Sequence, residues 1–260
     1  MTSLCGLAAS GCLLSCSAAG LFSVTVKIEN LAPVNSVSFA PLRVGFGTGS
    51  FDAFDQGETA TMPIISVAEG GSGSDWFPAF SAAEPGSVLG SVGGALLPGS
   101  TASSSFIVDP SVNRFFTFAS MVIPSNDLFI GNDDPLEYQI LDASGNLLIS
   151  SILQTGAEIW DANSEALDPA NAAFIVGGIN SQRTPENGLV AFDFTELDGF
   201  NGLTTAAGYT FGNSLTDATD IYRISFSVEA VPESSAAAVP SALALGFLAF
   251  RRYRQAQHTR

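Results

Sequence analysis

The segment Ile159-Trp160-Asp161-Ala162-Asn163-Ser164-Glu165 places two carboxylates, Asp161 and Glu165, four residues apart, directly after an apolar stretch. A third, Asp127, closes another apolar stretch at Pro124-Ser125-Asn126-Asp127. Carboxylates at the ends of neighbouring strands can converge on a hard cation, which needs several oxygen ligands. Ala162-Asn163-Ser164 favours a turn, and a turn can swing Asp161 and Glu165 to one side. Three carboxylates held close together would repel one another unless a cation neutralised them. Spacing alone leaves a plainer alternative, in which Asp161 caps a turn and Glu165 is solvated.

Most other chemistries lack their residues. The only histidine is His258, at the far end of the chain, so the body has no Ser-His-Asp triad, no Cys-His pair and no His-ligated zinc or copper. The cysteines are Cys5, Cys12 and Cys16, so a chain that loses its first segment has neither a disulfide nor a thiol. The only lysine is Lys27, and no glycine-rich phosphate loop ends in Gly-Lys-Ser/Thr. Gly70-Gly71-Ser72-Gly73 reads as a turn. Two carboxylates across a cleft could still hydrolyse a glycosidic bond. With 25 acidic residues, however, such pairs arise by chance. The expectation is a protein that is not an enzyme.

The charge is lopsided. Arg251, Arg252, Arg254 and Arg260 lie at the C-terminal end, and the body keeps only Lys27, Arg43, Arg114, Arg183 and Arg223 against all 25 acidic residues. Such a surface repels phosphate backbones, which argues against a nucleic-acid partner, and it favours divalent cations.

The elements that must position the carboxylates read as strands. Phe (20) far exceeds Tyr (4), and Gly (26) and Pro (13) are frequent. This composition fits short strands and turns better than helices. Val24, Val26 and Ile28 alternate with Thr25, Lys27 and Glu29, the period of a half-buried strand. Leu42–Phe46 is a second strand. A short helix is expected over Thr59–Glu69, and residues 81–105 are expected to be mostly loop, with a strand returning at Ser105–Asp109. Arg114–Ile123 is the strongest strand, apolar on both faces in its middle and so central in a sandwich. A hairpin is expected from Leu136–Leu141 and Leu147–Ile152 around Asp142-Ala143-Ser144-Gly145-Asn146. A strand leads into Trp160-Asp161. A long irregular stretch follows, and Leu189–Phe194 and Tyr222–Val228 close the body. The expected fold class is all-β, an antiparallel β-sandwich with short helices in its loops.

The two ends carry their own signals. Residues 1–20 read as a secretory signal peptide, with an apolar core at Leu4–Leu14 and the small residues Ser17-Ala18-Ala19-Gly20 at the cleavage site. No Lys or Arg precedes that core, and Leu13-Leu14-Ser15-Cys16 also loosely fits a lipoprotein cleavage site. At the other end, Val231-Pro232-Glu233-Ser234 precedes an apolar run over Ser235–Phe250 and the cluster Arg251-Arg252-Tyr253-Arg254. That run is marginal against the roughly 20 residues that span a bilayer, and the arginines would hold its far end in the cytoplasm. An ordinary transmembrane helix as anchor is one reading. The tripartite order also resembles the PEP-CTERM sorting signal of Gram-negative bacteria, with Ser234 where the family usually has Pro. That resemblance implies export and cleavage by an exosortase-type membrane protease, so that residues 231–260 meet the membrane only before processing.

Residues 22–230 resemble bacterial spondin domains. The likeness rests on Val24–Pro33, on Pro41-Leu42 and on Gly49–Gly57. It rests also on Ser125-Asn126-Asp127-Leu128-Phe129, similar to the family's Ser-Asn/Pro-Asp-aromatic turn, and on Trp160–Glu165, similar to its Trp-Asp-Ala-Gly-Thr-Glu/Asp motif. Asn163 stands for the family's Gly, tolerable because Asn also visits positive φ, and Ser164 for its Thr. The segment Gly177–Arg183 departs further from the family. The resemblance implies a C2-like sandwich, an extracellular setting and a bound calcium held by Asp127, Asp161 and Glu165. The function expected is calcium-dependent surface or matrix adhesion, with extracellular polysaccharide or a matrix protein as partner. A carbohydrate-binding module, with Trp76 and Trp160 as candidate platforms, is the alternative.

Overall fold

The computed structural model describes residues 20–232. The segments expected to be the signal peptide and the apolar, arginine-flanked tail lie outside the described residues, apart from their innermost positions. Among the described residues no helix is long and apolar enough to cross a membrane.

The chain forms an all-β sandwich of two antiparallel sheets. Its strands are β1 (Phe22–Asn30), β2 (Ser38–Phe39), β3 (Leu42–Gly47), β4 (Val88–Val92), β5 (Thr101–Val108), β6 (Phe115–Ile123), β7 (Leu128–Gly131), β8 (Ser151–Thr155), β9 (Trp160–Asp161), β10 (Ala191–Phe192) and β11 (Asp220–Ala230). One sheet runs β5-β1-β11-β8, and the other runs β10-β9-β7-β6-β3-β4 with β2 added on β6. The alternation read in β1 points Val24, Val26 and Ile28 into the main core, where they join Phe46, Phe116 and Phe118 from the facing sheet. Alternate residues of a strand face opposite sides, so each sheet contributes every second side chain to this layer.

The second sheet is covered on its outer face as well. Two helices, α1 (Met62–Gly70) and α2 (Trp76–Ala83), bring Ile64, Val67, Trp76 and Phe80 against Ala119, Phe129 and Trp160. This explains the two-sided apolarity of β6. Phe116, Phe118 and Val122 belong to the inner core, while Ala119 faces the helix layer and Met121 and Ile123 form a third cluster with Ala40. The start of α1 is set locally. The Thr61 hydroxyl accepts the Ile64 N–H at 3.4 Å, and Pro63 occupies the first turn, where a missing N–H costs nothing. Gly71 ends the helix at φ 57°, and a Cβ there would sit 2.8 Å from the Ala40 Cβ.

Three expectations are corrected. Residues 81–105 are not mainly loop, because β4 and most of β5 lie there. Three of the four outward positions of β5, Thr101, Ser103 and Ser105, carry little hydrophobic signal, and its strand state comes from pairing along β1 from Phe22↔Val108 to Glu29↔Thr101. The hairpin around Asp142–Asn146 closes only through a single bridge, Leu141↔Leu147. Asp142 instead folds the turn on itself, accepting the N–H groups of Ser144 and Asn146. The strand expected at Leu189–Phe194 shortens to Ala191–Phe192, because β9, its neighbour, is itself only two residues long.

Candidate metal centre

Strand pairing brings the carboxylates together. Asp127 immediately precedes β7, and Leu128 pairs with Asp161 across β7 and β9. Two acids distant in sequence thereby become neighbours at one sheet end. Asp127 is fully buried. Its Oδ2 accepts the Ser164 N–H at 2.7 Å, the Glu165 N–H at 2.9 Å and the Ser164 hydroxyl at 3.2 Å. Its Oδ1 is buried and has no hydrogen-bond partner. Asp161 is also buried, and its Oδ1 accepts the Asn163 N–H at 2.7 Å. Asn163 stands at φ 48° and anchors its amide to the Leu189 carbonyl at 3.0 Å. The turn read from Ala162-Asn163-Ser164 is therefore real, and it is wound around the Asp127 carboxylate.

The third member of the group is Glu196, on the 3-10 helix Thr195–Phe200. One oxygen from each of Asp127, Asp161 and Glu196 lies within 4.8 Å of the others. The Glu196 Oε2 is buried without a partner, as is Asp127 Oδ1. Reading the sequence for acids near the Trp-Asp motif missed Glu196. The signal that singled out Asp127 and Asp161, an acid just beyond an apolar strand, was present at Phe194-Thr195-Glu196 too.

Glu165 takes a different position. Its backbone N–H holds Asp127, but its carboxylate is not part of the converging trio. Its Oε1 accepts from the Asn126 amide at 3.2 Å, and its Oε2, buried without a hydrogen-bond partner like Asp127 Oδ1 and Glu196 Oε2, lies 3.7 Å from the Arg183 guanidinium. Arg183 pairs at the same time with Glu69 at the end of α1, and Glu69 accepts the Ser164 hydroxyl at 2.9 Å. Glu165 thus ties the acidic loop to the helix layer through one shared arginine.

The electrostatics agree with the geometry. Burial, then the Asp127 charge, pushes Asp161 up to about 7. Burial, then Asp161 and Asp127, pushes Glu196 up to about 8. Asp127 is raised by burial, against the pull of its three hydrogen bonds. Glu165 is lifted to about 7, first by burial. Glu186 adds its charge from nearby to Asp127, Asp161 and Glu196. Asp127 and Asp161, both buried, and the half-buried Glu196 repel one another, and the group could hold a metal ion.

Trp76 and Trp160 are core residues, 0% and 4% exposed. The Trp160 indole N–H donates to the Gly131 carbonyl at 3.0 Å. No protein-family model matches the chain, and no curated protein matches it either.

Proposed function

We propose that this is an exported calcium-binding protein of the cell surface or extracellular matrix, acting by binding rather than catalysis. The observation that carries the reading is the pair of orphaned buried oxygens, Asp127 Oδ1 and Glu196 Oε2, in a group completed by Asp161. A buried acceptor without a donor costs about 1–3 kcal/mol, more when charged, and a cation removes that cost. The donor set is all carboxylate. Residues 20–232 contain no His and no Cys, which favours a hard cation such as Ca²⁺ over zinc or copper. Calcium takes six to eight oxygens, so backbone carbonyls or water would complete the shell of about seven. The resemblance of residues 22–230 to spondin domains supports the same ion, and that of the tail to a PEP-CTERM signal supports export.

In this reading calcium joins the turn before β7, the end of β9 and the 3-10 helix bearing Glu196. Glu165 orders the loop from beside the ion. The partner is extracellular polysaccharide or a matrix protein. Titrating calcium into the metal-stripped protein in a calorimeter tests the ion. The parent binds one equivalent, and Asp161→Asn and Glu196→Gln each weaken binding. Equal affinity in the parent and both variants refutes the site. Pull-down from exopolysaccharide matrix with calcium and with chelator tests the role.

A further inference from the structure

A second acidic site lies beside Trp160. A cavity of about 260 Å³ opens among β8, β9, β10 and the loop after β7. Its carboxylates are Asp133, Asp134, Glu137 and Glu158. None has a basic partner, since the ion pairs among the described residues use Glu69, Glu165 and Glu29.

Gln154 separates this cavity from an ordinary acidic patch. It occupies an inward position of β8, is 3% exposed and lines the cavity. Its Nε2 donates to Glu158 Oε1 at 3.4 Å. Glu158 can only accept, which sets the orientation of the amide. The Gln154 Oε1 is then left buried with no partner. An inward strand position occupied by an amide with an unmatched acceptor calls for a donor from outside the chain.

The walls describe that donor. Phe192 pairs with Trp160 across β9 and β10, and their rings stack with centroids 3.6 Å apart. Phe192 is 46% exposed, so an aromatic side chain remains available beside the acids, together with Tyr138. Aromatic faces attract cations and pack against aliphatic carbon. The acids are spread around the cavity. Among the described residues, the acids that converge closely enough for a metal ion are Asp127, Asp161 and Glu196. Spread acceptors beside aromatic rings suit a cation larger than a metal ion, with several N–H donors. The volume, just below the roughly 300 Å³ at which ligand pockets begin, limits it to a small molecule.

We infer that this cavity binds the protonated primary amine of a small organic molecule, with the carboxylates of Glu137 and Asp133 and the Gln154 amide oxygen as acceptors and Phe192 as its apolar wall. Two sources share that chemistry, a free aliphatic amine and an amino sugar. This site is separate from the metal centre and does not depend on it.

Calorimetric titration of the full-length protein with putrescine and with glucosamine, in millimolar calcium so that the metal centre is filled, tests the inference and separates the sources. Saturable binding of either is expected, with tetramethylammonium, which has no N–H, failing to bind. Glu137→Gln should weaken binding about tenfold or more. Phe192→Ala, at a position 46% exposed, should weaken it about threefold or more. The inference is overturned if neither amine gives saturable heat, if tetramethylammonium binds as well as the amines, or if Phe192→Ala binds as the parent does. A Glu137→Gln protein that fails to fold leaves Phe192→Ala to decide.

Discussion

Ser164 gives Asp127 two hydrogen bonds through a single carboxylate oxygen, one from its backbone N–H at 2.7 Å and one from its hydroxyl at 3.2 Å. The Glu165 N–H adds a third at 2.9 Å. With Oδ2 saturated in this way, Asp127 holds the loop with one oxygen and leaves the other without a donor. In the proposed reading the same residue braces the fold and supplies a ligand, and the bracing can be measured with calcium absent.

Asp127→Ala removes the acceptor for two backbone N–H groups in a dry environment. It should lower stability by about 3 kcal/mol in urea unfolding, even with calcium absent, because hydrogen bonds to charged groups are worth about 1.5–3 kcal/mol. A loss below about 0.5 kcal/mol would mean that the loop does not depend on this residue.

Calcium should raise the melting temperature through the same centre. With a dissociation constant near ~10⁻⁴ M, usual for extracellular modules, and calcium at about one hundred times that value, the native state gains about 2.7 kcal/mol. Asp161→Asn should lose most of this gain. Thermal scans of parent and variant, each with calcium and with chelator, make the comparison.

Without metal, the site should work against the fold at neutral pH. Asp161 stands at about 7 and Glu196 at about 8, whereas free carboxyls titrate near ~4. The native state therefore holds more protons than the unfolded chain. The site's contribution to stability falls as pH rises from about 4 to about 8. Calcium displaces those protons, so its affinity should rise over the same interval. Chemical denaturation of the metal-free protein at several pH values, compared with Glu196→Gln, measures the difference.

Arg183 neutralises two acids at once, Glu69 and Glu165. Arg183→Met leaves both without their cation and should cost about 2 kcal/mol, less than for a fully buried pair because the guanidinium is partly exposed. Adding Glu69→Gln to that variant should recover part of the loss. A double-mutant cycle showing no coupling would remove Arg183 from this network.

Tyr222 offers a prediction of opposite sign. Its ring is fully buried against Phe39, with centroids 4.6 Å apart, and its hydroxyl is buried without a hydrogen-bond partner. Tyr222→Phe keeps the ring and removes an unsatisfied group, so it should stabilise the protein by up to about 1 kcal/mol. A destabilised variant would reveal a partner for the hydroxyl.

Some of this was legible in residues alone, and the boundary has a physical cause. The strict alternation in β1 and the two-sided apolarity of β6 reveal their strands, because period and burial are local properties of the chain. The edge strand β5, with Thr101, Ser103 and Ser105 facing outward, carries a weaker mark. The failed hairpin at Asp142 shows the reverse case. There the turn residues were right, but Asp142 satisfies the turn with its own side chain, and no ladder extends from it.

By itself the sequence determined the all-β class, the position of the central strand and the pairing of chemical type with place at Asp127 and Asp161. These follow from residue type and short spacing. Only the tertiary structure decided that Glu196 completes the converging group while Glu165 turns its carboxylate toward Arg183. Only the fold, likewise, placed Gln154 beside four acids that have no basic partner among the described residues. Those relations depend on strand register across β7 and β9 and on where β8 of the other sheet and the 3-10 helix bearing Glu196 lie beside them. Register is set by what packs beneath the sheet, and no single segment contains that information.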